Sequence, residues 1–128
     1  MKFTVVLILV LTLCSCFQNS RNCQDYKTGT FKFDYTINGV EKTGTFIRTD
    51  SYSIDYFDNK IDSSSVRWIN DCEFVLKKIN PKSRADEDAI HMKILSTTDS
   101  SYTFEYKLAL KKPNQNQIVK KGLAIKIK

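Results

Sequence analysis

Phe31-Lys32-Phe33-Asp34-Tyr35-Thr36-Ile37-Asn38-Gly39-Val40 sets Phe31, Phe33, Tyr35 and Ile37 against Lys32, Asp34 and Thr36, then breaks into Asn-Gly. Residues two apart in an extended chain share a face, so this alternation predicts a half-buried strand. Asn38-Gly39 predicts a tight hairpin, because a type I′ turn needs positive φ at both central residues. The returning strand is expected over Val40 to Thr49, with Gly44 marking a bulge or a bend.

The same pattern runs to the end of the chain. Further strands are expected near Tyr52 to Phe57, Ser63 to Ile69, Cys72 to Ile79, Ala89 to Thr97, Tyr102 to Leu110 and Ile118 to Ile127. Thr49-Asp50-Ser51, Asp58-Asn59, Asn70-Asp71, Asp99-Ser100 and Pro113-Asn114 punctuate the junctions with turn chemistry. Only Asn80 to Ala89 breaks the rhythm, reading as a longer loop or one helical turn after Pro81.

Each strand offers an apolar face: Tyr52, Ile54 and Tyr56; Val66 and Trp68; Phe74 and Leu76; Ile90, Met92 and Ile94; Tyr102 to Leu110 at alternate positions; Leu123, Ile125 and Ile127. An antiparallel meander of eight such strands must curl until those faces meet. The expected fold is all-β, either a small lipocalin-like up-and-down barrel or a flattened sandwich. Eight strands leave room for a filled core or for one small ligand. The last strand, with Lys120, Lys121, Lys126 and Lys128, reads as an edge guarded by charge.

Ahead of this domain, Met1-Lys2 is followed by an apolar run from Phe3 to Leu13 that turns polar at Ser15, Cys16, Gln18 and Asn19. That is the layout of a signal peptide, and it is shorter than the roughly 20 apolar residues that cross a bilayer. Leu13-Cys14-Ser15-Cys16 resembles a bacterial lipobox, with a branched residue and a small one before the modified cysteine. Cys14 fits less well, because Leu13 would then stand where a small residue is required. The resemblance implies cleavage of residues 1–15 and lipid on Cys16; the alternative is an ordinary secretory peptide ending near a chance cysteine. Residues 16–27 are then expected as a lipid-anchored tether and 28–128 as the β domain.

The chain has four cysteines, and with Cys14 cleaved away and Cys16 lipidated, Cys23 and Cys72 are left. In an oxidising compartment a leftover pair is expected to form a disulfide, the alternative being two buried thiols. The pair supplies too few ligands for zinc, and His91 is the sole histidine. The net charge of +6 falls by one when Lys2 leaves with the signal. Spread lysines read as a solvated surface, or as attraction to anionic lipid or polysaccharide. Export argues against nucleic acid as a partner.

Catalytic patterns are missing. A serine or cysteine hydrolase would have to use His91 as its base, and alternation places His91 opposite the face of Ile90, Met92 and Ile94. Asp86-Glu87-Asp88 has neither EF-hand spacing nor its turn glycine, and the four glycines are scattered singly. The expectation is a protein that is not an enzyme and uses no cofactor. Arg67-Trp68 beside Cys72 reads as a hairpin pinned at its tip, or as a recognition patch for a sugar or anionic partner.

Thr28-Gly29-Thr30-Phe31, Phe46 to Ser51, Arg67 to Phe74, His91 to Leu95 and Ser101 to Tyr106 together resemble a family of small lipoproteins of Bacteroidetes bacteria, chiefly flavobacteria. Some members carry the label "DNA topoisomerase IV". A type II topoisomerase subunit is several times longer, with a nucleotide-binding fold or a DNA-cleaving tyrosine domain, and nothing in this sequence matches either. The expected role is a non-catalytic binding or accessory module of the cell envelope, at the outer membrane facing the periplasm. Its partners would be the membrane through Cys16 and an envelope protein or small apolar ligand. The alternative is a structural or inhibitory protein acting through its surface. No acidic cluster follows Cys16, so the surface-export signal of some related lipoproteins is missing.

Overall fold

A computed structural model describes residues 21–128 of the chain. The expected signal peptide (1–15) and the lipidation site Cys16 lie outside the described residues. Eight antiparallel strands close into an up-and-down barrel, which selects that fold over the sandwich. In order they are β1 (Gly29–Ile37), β2 (Val40–Arg48), β3 (Tyr52–Phe57), β4 (Lys60–Trp68), β5 (Glu73–Lys78), β6 (Ile90–Thr97), β7 (Ser101–Leu108) and β8 (Lys120–Lys126). Short 3-10 turns at Gln24–Tyr26 and Ala85–Glu87 are the helical elements among the described residues, the second falling where one turn after Pro81 was expected.

The Asn38-Gly39 turn has φ of 51° and 77°, and Asp58-Asn59 makes a second turn of the same hand at 48° and 57°. These values match the right-handed twist of the flanking strands. Gly44 produces no bulge, since β1 and β2 pair without a break from Gly29↔Arg48 to Ile37↔Val40. Instead, a Cβ at Gly44 would lie 2.6 Å from Cζ of Phe33, and one at Gly122 would lie 2.6 Å from Cζ of Phe104. Each glycine is a slot for the ring on the facing strand. The β6–β7 register shifts between Ile94 and Ser96, so the bulge lies there.

Cross-strand pairs share a face, and following them around the barrel corrects two strands. On β3 the expected inward residues Tyr52, Ile54 and Tyr56 point out; Tyr52 is 53% exposed and Ser53 4%. The cause is β2: inward Phe46 and Arg48 sit opposite Asp55 and Ser53, which fixes the parity of β3. On β8, Leu123, Ile125 and Ile127 likewise face outward, and Gly122, Ala124 and Lys126 stand opposite Phe104, Tyr102 and Phe31. The large rings of Phe104 and Tyr102 on β7 leave space only for small residues across from them, Gly122 and Ala124. Nor is β8 an edge, because it closes the barrel against β1 through Phe31↔Lys126 and Lys32↔Ile125.

The core is concentrated at one end. Phe31, fully buried, stacks on Phe46 with centroids 4.8 Å apart and meets Tyr102 edge-on at 5.7 Å. Burying such a ring contributes about 1.5–3 kcal/mol. Cys23, Tyr26, Ile94 and Ala124 complete the cluster, with Trp68 packed against it. Cys23 and Tyr26 belong to the segment expected as a tether. That expectation is corrected for residues 21–27: they fold back across the barrel end as a plug, because Tyr26 and Cys23 supply apolar surface that the core lacks.

Candidate functional site

The plugged end is built around a buried cation. Arg48, 3% exposed, follows Phe46 by two positions on β2 and so points inward. Its guanidinium lies 4.7 to 5.8 Å from the rings of Phe74, Phe31, Phe46, Tyr102 and Trp68. Nη2 donates to the Tyr26 carbonyl at 2.5 Å and Nε to the Lys27 carbonyl at 3.1 Å. A buried charge is tolerated only when hydrogen-bonded or paired, and here the last carbonyls of the 3-10 turn do that work. Burial pushes the Tyr102 phenol up, against the opposing pull of Arg48.

Further bonds fasten the plug. The Tyr26 hydroxyl donates to the Thr98 carbonyl at 2.6 Å, Lys126 Nζ to the Asp25 carbonyl at 2.5 Å, and Asn22 N to Thr97 Oγ1 at 2.9 Å. Cys23 and Cys72 form the expected disulfide, with Cα atoms 5.3 Å apart. It ties the plug to the β4–β5 hairpin. The same hairpin is braced by Glu73, which accepts from Asn70 Nδ2 at 2.6 Å and contacts His91 Nε2 at 3.1 Å. The Asn70 bond, opposed in part by burial and aided by His91, holds the Glu73 carboxyl below the usual range.

Arg67 and Trp68 do not form one patch. Arg67 is exposed on the outer face opposite Val75, whereas Trp68 faces inward opposite Phe74, with ring centroids 4.5 Å apart. Lys27 Nζ lies 4.9 Å above the Trp68 ring. His91 points outward as expected, yet its Nδ1 is buried without a hydrogen-bond partner among the described residues.

Below Arg48 the inner wall turns polar. Asp55 and Asp62 sit opposite each other on β3 and β4, and Ser53 Oγ donates to Asp55 at 3.0 Å. Burial pushes the Asp55 carboxyl up, outweighing the Ser53 bond and the attraction of Arg48. Lys78 reaches Asp62 at 3.5 Å and Asp86 at 3.0 Å, latching the second 3-10 turn to the barrel. Among the described residues no three of His, Cys, Asp or Glu gather to hold a metal ion.

The opposite end of the barrel is open. Here the connection over residues 109–119 borders, with the ends of β6, β7 and β8, a half-open chamber of about 280 Å³. Ile90, Tyr106 and Leu108 line it from the barrel, the exposed Gln117 and Ile118 line it from the loop, and Lys107, Lys111, Lys112 and Lys120 are its charged residues. Gln117 Nε2 donates to the Leu108 carbonyl at 2.8 Å, holding the loop in place. A second hollow of about 180 Å³ opens on the outside of the β1–β8 seam, lined by Lys32, Phe33, Asp34, Thr43, Leu123 and Ile125.

Sequence reading missed both Arg48 and the chamber. Arg48 had a signal, the parity it shares with Phe46. The chamber had none, because Ile118 and the lysines are brought to Ile90 by a loop. Comparison with protein-family models, curated proteins and solved structures returns no match.

Proposed function

We propose that this chain is a lipid-anchored lipoprotein of the bacterial cell envelope whose barrel is a non-catalytic binding module. One observation supports it above the others: the end that receives the N-terminal segment is sealed by Arg48 and a disulfide, while the far end holds an apolar chamber. From Cys16 to Arg21 the chain reaches at most roughly 17 Å when fully extended. An anchor on Cys16 would keep the sealed end at the bilayer and turn the chamber away from it. The disulfide accords with an oxidising compartment outside the cytoplasm.

A second reading, a structural or inhibitory protein acting through its surface, is favoured by the outer face of β2 to β4. Ile47, Tyr52, Tyr56 and Ile61 are exposed there, and contiguous exposed apolar residues mark interaction surfaces.

Intact mass of protein extracted from membranes tests the anchor. The expected result is loss of residues 1–15, added acyl mass on Cys16 and no thiol that alkylates without reduction; an unmodified Cys16 refutes the anchor. Native mass spectrometry tests the module. A co-purifying small molecule supports it, whereas an empty barrel whose Tm no envelope lipid fraction raises favours the surface reading.

A further inference from the structure

The chamber at the open end combines three properties that together select a ligand class. Its apolar lining residues are the half-buried Ile90, Tyr106 and Leu108 and the exposed Ile118. Its charged lining residues are all lysines, with no aspartate or glutamate among them. Lys112 is paired with Asp88 at 2.8 Å, while Lys107, Lys111 and Lys120 make no ion pair among the described residues. Clustered cations over a low-dielectric floor raise the local concentration of anions.

The half-open chamber of about 280 Å³ has room for an alkyl chain. Gln115 and Asn116 on the loop supply neutral hydrogen-bonding groups beside the lysines.

We propose that the open-end chamber binds a single-chain anionic amphiphile, its acyl chain lying on Ile90, Leu108 and Ile118 and its carboxylate at Lys107, Lys111 and Lys120. This rests on the binding-module reading and gives that module its ligand class. Burial of the chain's methylenes supplies affinity. The lysines supply the choice of head group, and a cationic head is rejected by like-charge repulsion.

The test uses the chain from residue 16 onward with Cys16→Ser, which keeps the whole mature sequence in soluble form. Calorimetric titration with decanoate, below its micellar concentration, is expected to give saturable one-to-one binding. Acetate and decyltrimethylammonium are each expected to bind at least tenfold more weakly. Methyl resonances of Ile90, Leu108 and Ile118 should shift with decanoate, while those of Leu123 and Ile125 at the outer seam stay fixed. The double charge reversal Lys107→Glu with Lys111→Glu should weaken decanoate at least tenfold with an unchanged circular dichroism spectrum. The methyl shifts decide the matter on unmutated residues if that variant does not fold.

No saturable decanoate binding, equal affinity for the cationic amphiphile, or shifts away from the chamber would overturn the proposal. So would phosphatidylglycerol vesicles capturing the protein as strongly as decanoate binds, which would indicate general surface attraction. A different molecule found by native mass spectrometry, with decanoate inert, would refute this ligand class and leave the binding module standing.

Discussion

The two ends of one barrel solve the same problem differently. At the sealed end, inward positions are filled by Phe31, Phe46, Phe74 and Tyr102, and the one charge among them, Arg48, is held by carbonyls of the plug. At the open end, Tyr106 and Leu108 are only half-buried beside the exposed Lys120, while Lys78, Asp62 and Asp86 form an ion-pair chain that water still reaches. An eight-stranded barrel is too narrow to be well filled and to host a ligand along its full length. Stability is concentrated at the plug, and that leaves the other end free for variation.

Substitutions should separate the ends in a defined order. Arg48→Leu is expected to be the most damaging, because it strips the Tyr26 and Lys27 carbonyls of their buried donor. A loss of about 2–5 kcal/mol in urea unfolding is the expected result, at about 1–3 kcal/mol for each carbonyl left unpaired. A change under about 1 kcal/mol would show that the plug does not depend on Arg48. Reducing the disulfide, or Cys72→Ser, should cost about 2–4 kcal/mol in the same measurement.

Asp55→Asn should act in the opposite direction and raise Tm at neutral pH. The folded-state pKa of Asp55 is raised by burial, so the charged form opposes folding above that pKa. As pH falls through it, the wild-type carboxyl takes up its proton and the variant's advantage should shrink. Glu73→Gln should lower Tm slightly at neutral pH. Its folded pKa is depressed, so its contribution is present above the unfolded value and disappears as pH falls through the folded one. Thermal scans across the acidic range thus distinguish the two carboxyls by sign. Smallest of all, Leu110→Ser on the open-end loop, where the side chain is 84% exposed, should stay within about 0.5 kcal/mol of wild type.

The meander was legible because most strands carry one consistent apolar face: β1, β4, β5, β6 and β7 point inward as their alternation predicts. It misled at β3 and β8 for a physical reason. There the inward positions are Ser53 and Asp55, which stand opposite Arg48 and Phe46, and Gly122 and Ala124, which clear a facing ring. A strand's own sequence does not record the volume or charge of the residue opposite. The plug was hidden for the same reason, since Arg21 to Lys27 reads as polar until Tyr26 and Cys23 meet the core. The disulfide, by contrast, was legible by counting.

The plug also brings the two ends of the described chain together. Thr30 N donates to the Lys128 carbonyl at 3.0 Å, and Lys126 reaches the Asp25 carbonyl. For protein engineering, a reporter appended after Lys128 would emerge beside the plug segment. One inserted at Asn38-Gly39 would project from the opposite rim. Joining the ends by a short linker and reopening the chain at that hairpin would give a circular permutant with every strand pairing retained.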